Sequence, residues 1–242
     1  MSLNTWTHID LASEGRPWRG AGWRLVEAQH KVATMGLVNH DPDAQAVLED
    51  VLEQSKPALP PDAEGLHWLL STPFRYPPLM NGSRFRRRYE PGVFYGGEAR
   101  ETACAEAGYW RLRFWCDSAG LRGQSKSMPV TLFRFNAHAL STIDLTAAPF
   151  DACRPLWTQS DDYTQTQALA TDAREAGVEV IRYESVRHPA GRCLALLTPQ
   201  VFRRARNPFP NIQQSWDLHL IPPGRIVFQR PFHEESLRFS FA

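Results

Sequence analysis

Two hydrophobic periodicities alternate along this chain. Behind Asp41-Pro42, a cap residue followed by a first-turn proline, Val47, Leu48, Val51 and Leu52 recur at helical spacing until the proline-rich SKPALPPDAEG ends the run. The first seventy residues therefore read as helical. A second apolar entry, LHWLLSTPFRYPP, is interrupted by Pro73, Pro77 and Pro78, which predicts extended backbone at Phe74 and Arg75. After Gly97, Ala103, Ala107, Trp110 and Phe114 fall on one helical face with Glu106 at its edge. TQTQALATDAREAG predicts a further helix, with Thr164 and Gln167 at capping-box spacing and Gly177 where it stops.

The other period is that of strands: MPVTLFRFNA, STIDL, VEVIRY, CLALL and RIVFQR. Strands that bracket helices without regular β-α-β alternation predict an α+β chain built on a mixed sheet. The expected division is a helical N-terminal extension and linker over 1–64, then a main domain over 65–242 that ends in a β tail.

Composition narrows the chemistry. At 242 residues the chain can bury a sizeable core, and 27 Lys+Arg against 26 Asp+Glu leave a formal charge of +1, which removes a general electrostatic case for nucleic acid or an anionic membrane. No apolar run reaches bilayer length, and the opening MSLNTWTHIDLASEG has neither a basic nor an apolar leader region, so a cytoplasmic location is expected. Cys104, Cys116, Cys153 and Cys193 are far apart and form no C-x-x-C pair, which predicts reduced, packed thiols and no metal site. P-loop, dinucleotide-fold, zincin and hydrolase-elbow motifs are all absent. Asn81-Gly82-Ser83 reads as a turn.

Four candidates remain, each with an ordinary reading beside a functional one. Glu106 is either a solvated helix glutamate or a carboxylate at the rim of a cleft, where low dielectric strengthens its field on a developing cation. Arg84, Arg86, Arg87 and Arg88 form either a basic face or, with Arg75, a source of guanidinium forks for a pyrophosphate. Tyr95 either packs or offers a ring to a flat heterocycle, with Gly96-Gly97 allowing close approach to the backbone. Ser185, at the end of a strand, either satisfies its own turn or hydrogen-bonds a ligand; nothing is arranged to make it a nucleophile, and His188 reads as structural.

Taken in order, GSRF, GVFYGGE, ETACAEAGYW, IRYESVR and GRCLALL resemble the RES-domain family, named for an arginine, a glutamate and a serine, over about residues 66–202. The upstream EAQHKVATMGLVNHDPDAQAVLEDVLEQSKPALPP looks like the helical leader of its longer members. The resemblance places the name-giving residues at Arg75, Glu106 and Ser185, the active-site tyrosine at Tyr95 and a further basic position at Arg84, while Arg86 stands where many members have asparagine. It implies a split mixed sheet like that of ADP-ribosyltransferases and a cleft for NAD. The implied activity is cleavage of the nicotinamide–ribose bond, by hydrolysis or phosphorolysis, as the toxin of a bacterial type II pair whose Xre-like antitoxin covers the cleft.

On that implication Glu106 would favour the oxocarbenium-like state through the ribose 2′-hydroxyl, Arg75 and Arg84 would grip the pyrophosphate, Tyr95 would stack on nicotinamide and Ser185 would orient the amide or ribose. NAD is then substrate rather than resident cofactor, and no metal is needed. Two other readings stand beside this one: transfer of ADP-ribose to a protein, and a non-catalytic nucleic-acid partner acting through the Arg84–Arg88 cluster.

Overall fold

The computed structural model describes residues 8–28, 38–76, 80 and 82–241. Part of the leader-like stretch, residues 29–37, lies outside them, as do Pro77, Pro78, Asn81 and the first seven positions.

Seven helices and eight strands are described. In chain order they are α1 (His8–Glu14), β1 (Arg16–Glu27), α2 (Pro42–Gln54), α3 (Trp68–Arg75), β2 (Phe94–Gly97), α4 (Arg100–Asp117), β3 (Lys126–Asp144), α5 (Arg154–Trp157), α6 (Thr164–Glu175), β4 (Val180–Glu184), β5 (Arg192–Leu196), α7 (Gln200–Arg203), β6 (Gln213–Ile221), β7 (Arg225–Gln229) and β8 (Ser236–Ser240). The chain is α+β, with one mixed sheet in the order β1-β2-β5-β4-β3-β6-β7-β8. β1 pairs with β3 as well as β2, so five of the strands close into a ring.

β3 organises the sheet. Along one of its edges the N-terminal part pairs antiparallel with β6 over Lys126–Phe133, and the C-terminal end pairs parallel with β4 over Thr142–Asp144. Between these stretches the sheet is split. The two halves of β3 bury different clusters: Val130 and Leu132 join the core beneath α4, whereas Phe133, Phe135, Ala137 and Ala139 join the core with α3 and α7. Leu132 and Phe133, consecutive and both fully buried, mark the change. A continuous apolar run covered on both sides is what a central strand requires. A third cluster packs Leu169, Ala170 and Ala173 of α6 on Ile181, Tyr183, Cys193 and Ala195.

The helical reading of the first seventy residues fails at β1, a twelve-residue strand. Its sequence, RPWRGAGWRLVE, carries glycines because neighbouring rings lie where side chains would stand. A Cβ at Gly22 would meet the Phe135 ring at 2.5 Å, and one at Gly20 would overlap the Trp18 indole. Close packing thus removed the β-branched signal by which strands are read.

Phe74 and Arg75 are helical, not extended, with Pro73 inside α3. Burial of Leu69, Leu70 and Phe74 outweighs the proline penalty, and the restriction that precedes a proline is obeyed at Tyr76 instead (ψ 139°). MPVTLFRFNA and STIDL are one strand, and β6 and β8 supply strands that the pattern did not reveal.

Two helix ends follow their sequence signals and one cap does not. Asp41 caps α2 by accepting from the Asp43 and Ala44 amides, and Gly177 (φ +72°) ends α6 with Val178 N–H donating to Ala173 O at 2.8 Å. Thr164 and Gln167 form no capping box. Asp162 accepts from the Thr164 amide, while the Gln167 side chain leaves the helix to donate to Ser83 O and Arg86 O.

Candidate active site

Glu106 lies on α4, which begins directly after the two glycines of β2. Those glycines serve packing rather than the approach of a ligand. A Cβ at Gly96 would stand 2.7 Å from the Phe135 ring, and one at Gly97 2.6 Å from the Ala103 amide. Without side chains there, α4 settles against the end of β2, and Gly108 lets it lie on Ile226 and Phe228. The buried side of α4 is Thr102, Ala103, Cys104, Ala105, Gly108, Tyr109 and Leu112. The expected apolar stripe is therefore only half inside: Ala103 is buried, but Trp110 and Phe114 are 47% and 59% exposed. Glu106 is half-buried between these sides.

Its partner comes from 79 residues further along: Ser185 Oγ donates to Glu106 Oε1 at 2.6 Å. β4 ends at Glu184, Ser185 N–H closes the turn on Gly191 O, and the Ser185 oxygen accepts from the Arg187 and His188 amides at 3.2 and 3.0 Å. The serine thus satisfies its own turn, as its ordinary reading expected, and also reaches a side chain of another element. Two amides occupy its lone pairs, which aims its proton at the carboxylate. His188 ties the same turn to α4, its Nδ1 lying 2.9 Å from Thr102 Oγ1.

Cys193 Sγ also points at Glu106 Oε1, at 3.8 Å. Burial first, and the Glu106 carboxylate second, push this thiol well above its ordinary pKa, so it stays protonated. Oε1 is thereby held by two neutral donors, and no described residue binds Oε2. Low-dielectric surroundings with one oxygen fixed and the other open suit a carboxylate that must accept a hydrogen bond from a ligand.

Arg84 is buried within the same neighbourhood. Nη1 donates to Trp157 O and Gln159 O at 3.1 and 2.8 Å, and the guanidinium lies 4.6 Å over the Tyr163 ring. Arg187 was not singled out in the sequence. Its guanidinium covers the Tyr109 ring at 3.6 Å, donates to Ser160 O at 2.7 Å and lies 3.6 Å from Asp161. The phenol of Tyr163 is raised in pKa mainly by burial, opposed by Arg84 and Arg187 and assisted by Glu106, so all of these charges act on one ring. Tyr163 and Arg187 carried no pattern of their own; only the position of Arg187 two places after Ser185 could have marked it.

Two expected residues have their polar groups bonded elsewhere. Arg75 donates from Nε to Pro57 O at 2.5 Å and from Nη1 to Glu53 at 2.6 Å, so it joins α3 to α2 and the linker. The structure gives it no contact with Glu106 or Ser185. Tyr95 is half-buried; its hydroxyl meets Ser83 Oγ at 2.8 Å and accepts from Phe85 N–H at 2.9 Å, and its carbonyl accepts from Arg24 at 2.6 Å. It fixes the tight turn in which Ser83 and Arg86 exchange backbone bonds, and so sets the direction of Arg84.

The arginine cluster does not form one basic face. Arg84 is buried, Arg86 donates to Glu90 O and Tyr76 O, and only Arg87 and Arg88 are exposed. An open hollow of about 470 Å3, lined by Lys126, Ser127, His219 and Gln229 among others, shares no residue with the Glu106 group.

A RES-domain family model matches residues 59–221. The chain belongs to the RES-domain family. Among solved structures, one similar to this chain is described as the crystal structure of the M. tuberculosis MbcT-MbcA toxin-antitoxin complex, with 14% identity, a TM-score of 0.47, and coverage of 87% of this chain and 91% of that one. No curated protein matches this chain significantly. In this RES chain no described helix is long and apolar enough to cross a membrane.

Proposed function

We propose that this protein cleaves the nicotinamide–ribose bond of NAD, with Glu106 as the residue that stabilises the transition state. The contact that carries this reading is Ser185 Oγ–H to Glu106 Oε1 at 2.6 Å, which orients a half-buried carboxylate and leaves Oε2 open. In the reaction the bond from ribose C1′ to the pyridinium nitrogen breaks and both electrons go to the ring. Nicotinamide leaves neutral, without a general acid, while positive charge develops on the sugar. Oε2 accepting from the 2′-hydroxyl strengthens as that charge grows, which is the differential binding catalysis needs. An oxygen of water or phosphate then bonds to C1′, giving ADP-ribose with release of a proton, or the ADP-ribose 1-phosphate ester.

Arg84 supplies the cation for the pyrophosphate. It is buried, its charge and that of Glu106 act on the same Tyr163 ring, and it commits only Nη1 to protein carbonyls, so a fork of nitrogens remains for phosphate oxygens. Arg75 is assigned to the junction of α2 and α3, and Tyr95 to the turn that carries Arg84. Family membership supports a place as the toxin of a toxin–antitoxin pair, with a protein antitoxin as partner.

The test is product analysis by proton NMR with NAD and the purified chain, with and without phosphate. Free nicotinamide together with ADP-ribose, or with its 1-phosphate ester, is expected. Label from NAD found only on protein would replace this reading with ADP-ribosyl transfer, and unchanged NAD would reject both.

A further inference from the structure

We propose that Trp110 is the surface on which the cationic nicotinamide ring lies before the bond breaks; this rests on the NAD-cleaving reading above. Trp110 is one turn after Glu106 on α4, so the two side chains project from the same side of the helix. Its indole meets Tyr109 at 5.4 Å and Tyr163 at 6.3 Å between centroids, both edge to face. The three rings form one group at the Glu106 rim.

Cations occupy two of them. Arg84 lies over Tyr163 at 4.6 Å and Arg187 over Tyr109 at 3.6 Å. Trp110 has the strongest π face of the three, is 47% exposed, and carries no cation among the described residues. Its two ring neighbours are steeply inclined to it, and nearly half of its surface stays open to solvent. Nicotinamide bonded to ribose is a flat cation joined directly to the carbon that faces Glu106, so a ring one helical turn away is within reach. The adenine ring, at the far end of the pyrophosphate, is not. Tyr95, the tyrosine first expected to stack, has its hydroxyl tied to Ser83 and Phe85.

The contact acts on the bound substrate, because the ring loses its charge as it departs. Removing it therefore weakens binding without slowing the chemical step. The same contact distinguishes NAD from NADH, whose nicotinamide carries no charge.

Calorimetric titration of the Glu106→Gln protein, with and without a second substitution at 110, tests this. Trp110→Ala should weaken NAD about tenfold and NADH less than about twofold, and Trp110→Phe should keep most of the NAD affinity. In the protein with Glu106 intact, Trp110→Ala should raise KM by up to the same factor without lowering kcat. Unchanged NAD affinity, or equal loss for NAD and NADH, overturns the assignment while nicotinamide release by the unsubstituted chain still upholds the parent reading. A chain that releases no nicotinamide overturns both.

Discussion

At the scale of residues, the central arrangement is a carboxylate with one oxygen satisfied and one open. Ser185 and Cys193 hold Oε1, and both are themselves fixed: the serine by two turn amides, the thiol by burial that keeps it protonated. The two arginines differ in partners rather than in spacing. Arg75 and Arg84 are both followed closely by an aromatic residue and both suit phosphate, yet Arg75 pairs with Glu53 while Arg84 is buried over Tyr163. Steady-state kinetics on the two alanine variants should separate them. Arg84→Ala is expected to raise KM for NAD at least tenfold, whereas Arg75→Ala leaves kcat and KM within about twofold, since its partner is a largely exposed glutamate. Equal effects would return Arg75 to the site.

At the scale of elements, glycines decide where α4 can lie. Gly96 and Gly97 were read as openings for a ligand, yet a ring and a helix amide fill the space. Gly96→Ala should cost about 1–3 kcal/mol through overpacking, seen as a Tm lowered by several degrees with KM little changed. A large rise in KM at unchanged Tm would restore the ligand reading. Helix α3 carries a pH dependence. Its N-cap is His67, whose Nδ1 accepts from Leu69 N–H at 3.2 Å while its ring stacks on Phe209 at 4.0 Å. Burial lowers this imidazole below its ordinary value of about 6.5, so the folded chain prefers it neutral. Its contribution is complete above the unfolded pKa and is lost as pH falls through the folded one, where Nδ1 becomes a donor facing a donor. Thermal melts from pH 7.5 to 5 should therefore fall more steeply for the native chain than for His67→Asn, which keeps an accepting cap. Parallel curves would remove His67 from the pH response.

At the scale of the whole molecule, what was legible depended on whether a residue's signal was its own. Asp41-Pro42 and Gly177 act locally, and both helix ends fall where these residues put them. β1 was hidden because its glycines make room for rings, that of Phe135 from β3 and that of Trp18 in β1 itself, so those positions carry no strand-forming side chain. Gln167 misled for the opposite reason: its amide serves the 83–86 turn in another part of the fold. The mixed sheet could be read from alternating strands and helices, and its split from family resemblance; the closing of β1 onto β3 could not, since pairing is non-local. Glu106 and Ser185 entered as members of a familiar series, and only the fold brings them to 2.6 Å. Arg187, which closes the IRYESVR block but was given no role there, and Tyr163 join the group because the segment carrying Ser160 and Tyr163 lies across Arg84 and Arg187.

The account stands most directly on single-turnover release of nicotinamide from NAD by the native chain and by Glu106→Gln, with circular dichroism and Tm recorded on both. A correctly folded variant slower by two to three decades, a loss of about 3–4 kcal/mol of transition-state stabilisation, is the expected result. A folded Glu106→Gln protein that releases nicotinamide at the native rate would contradict it.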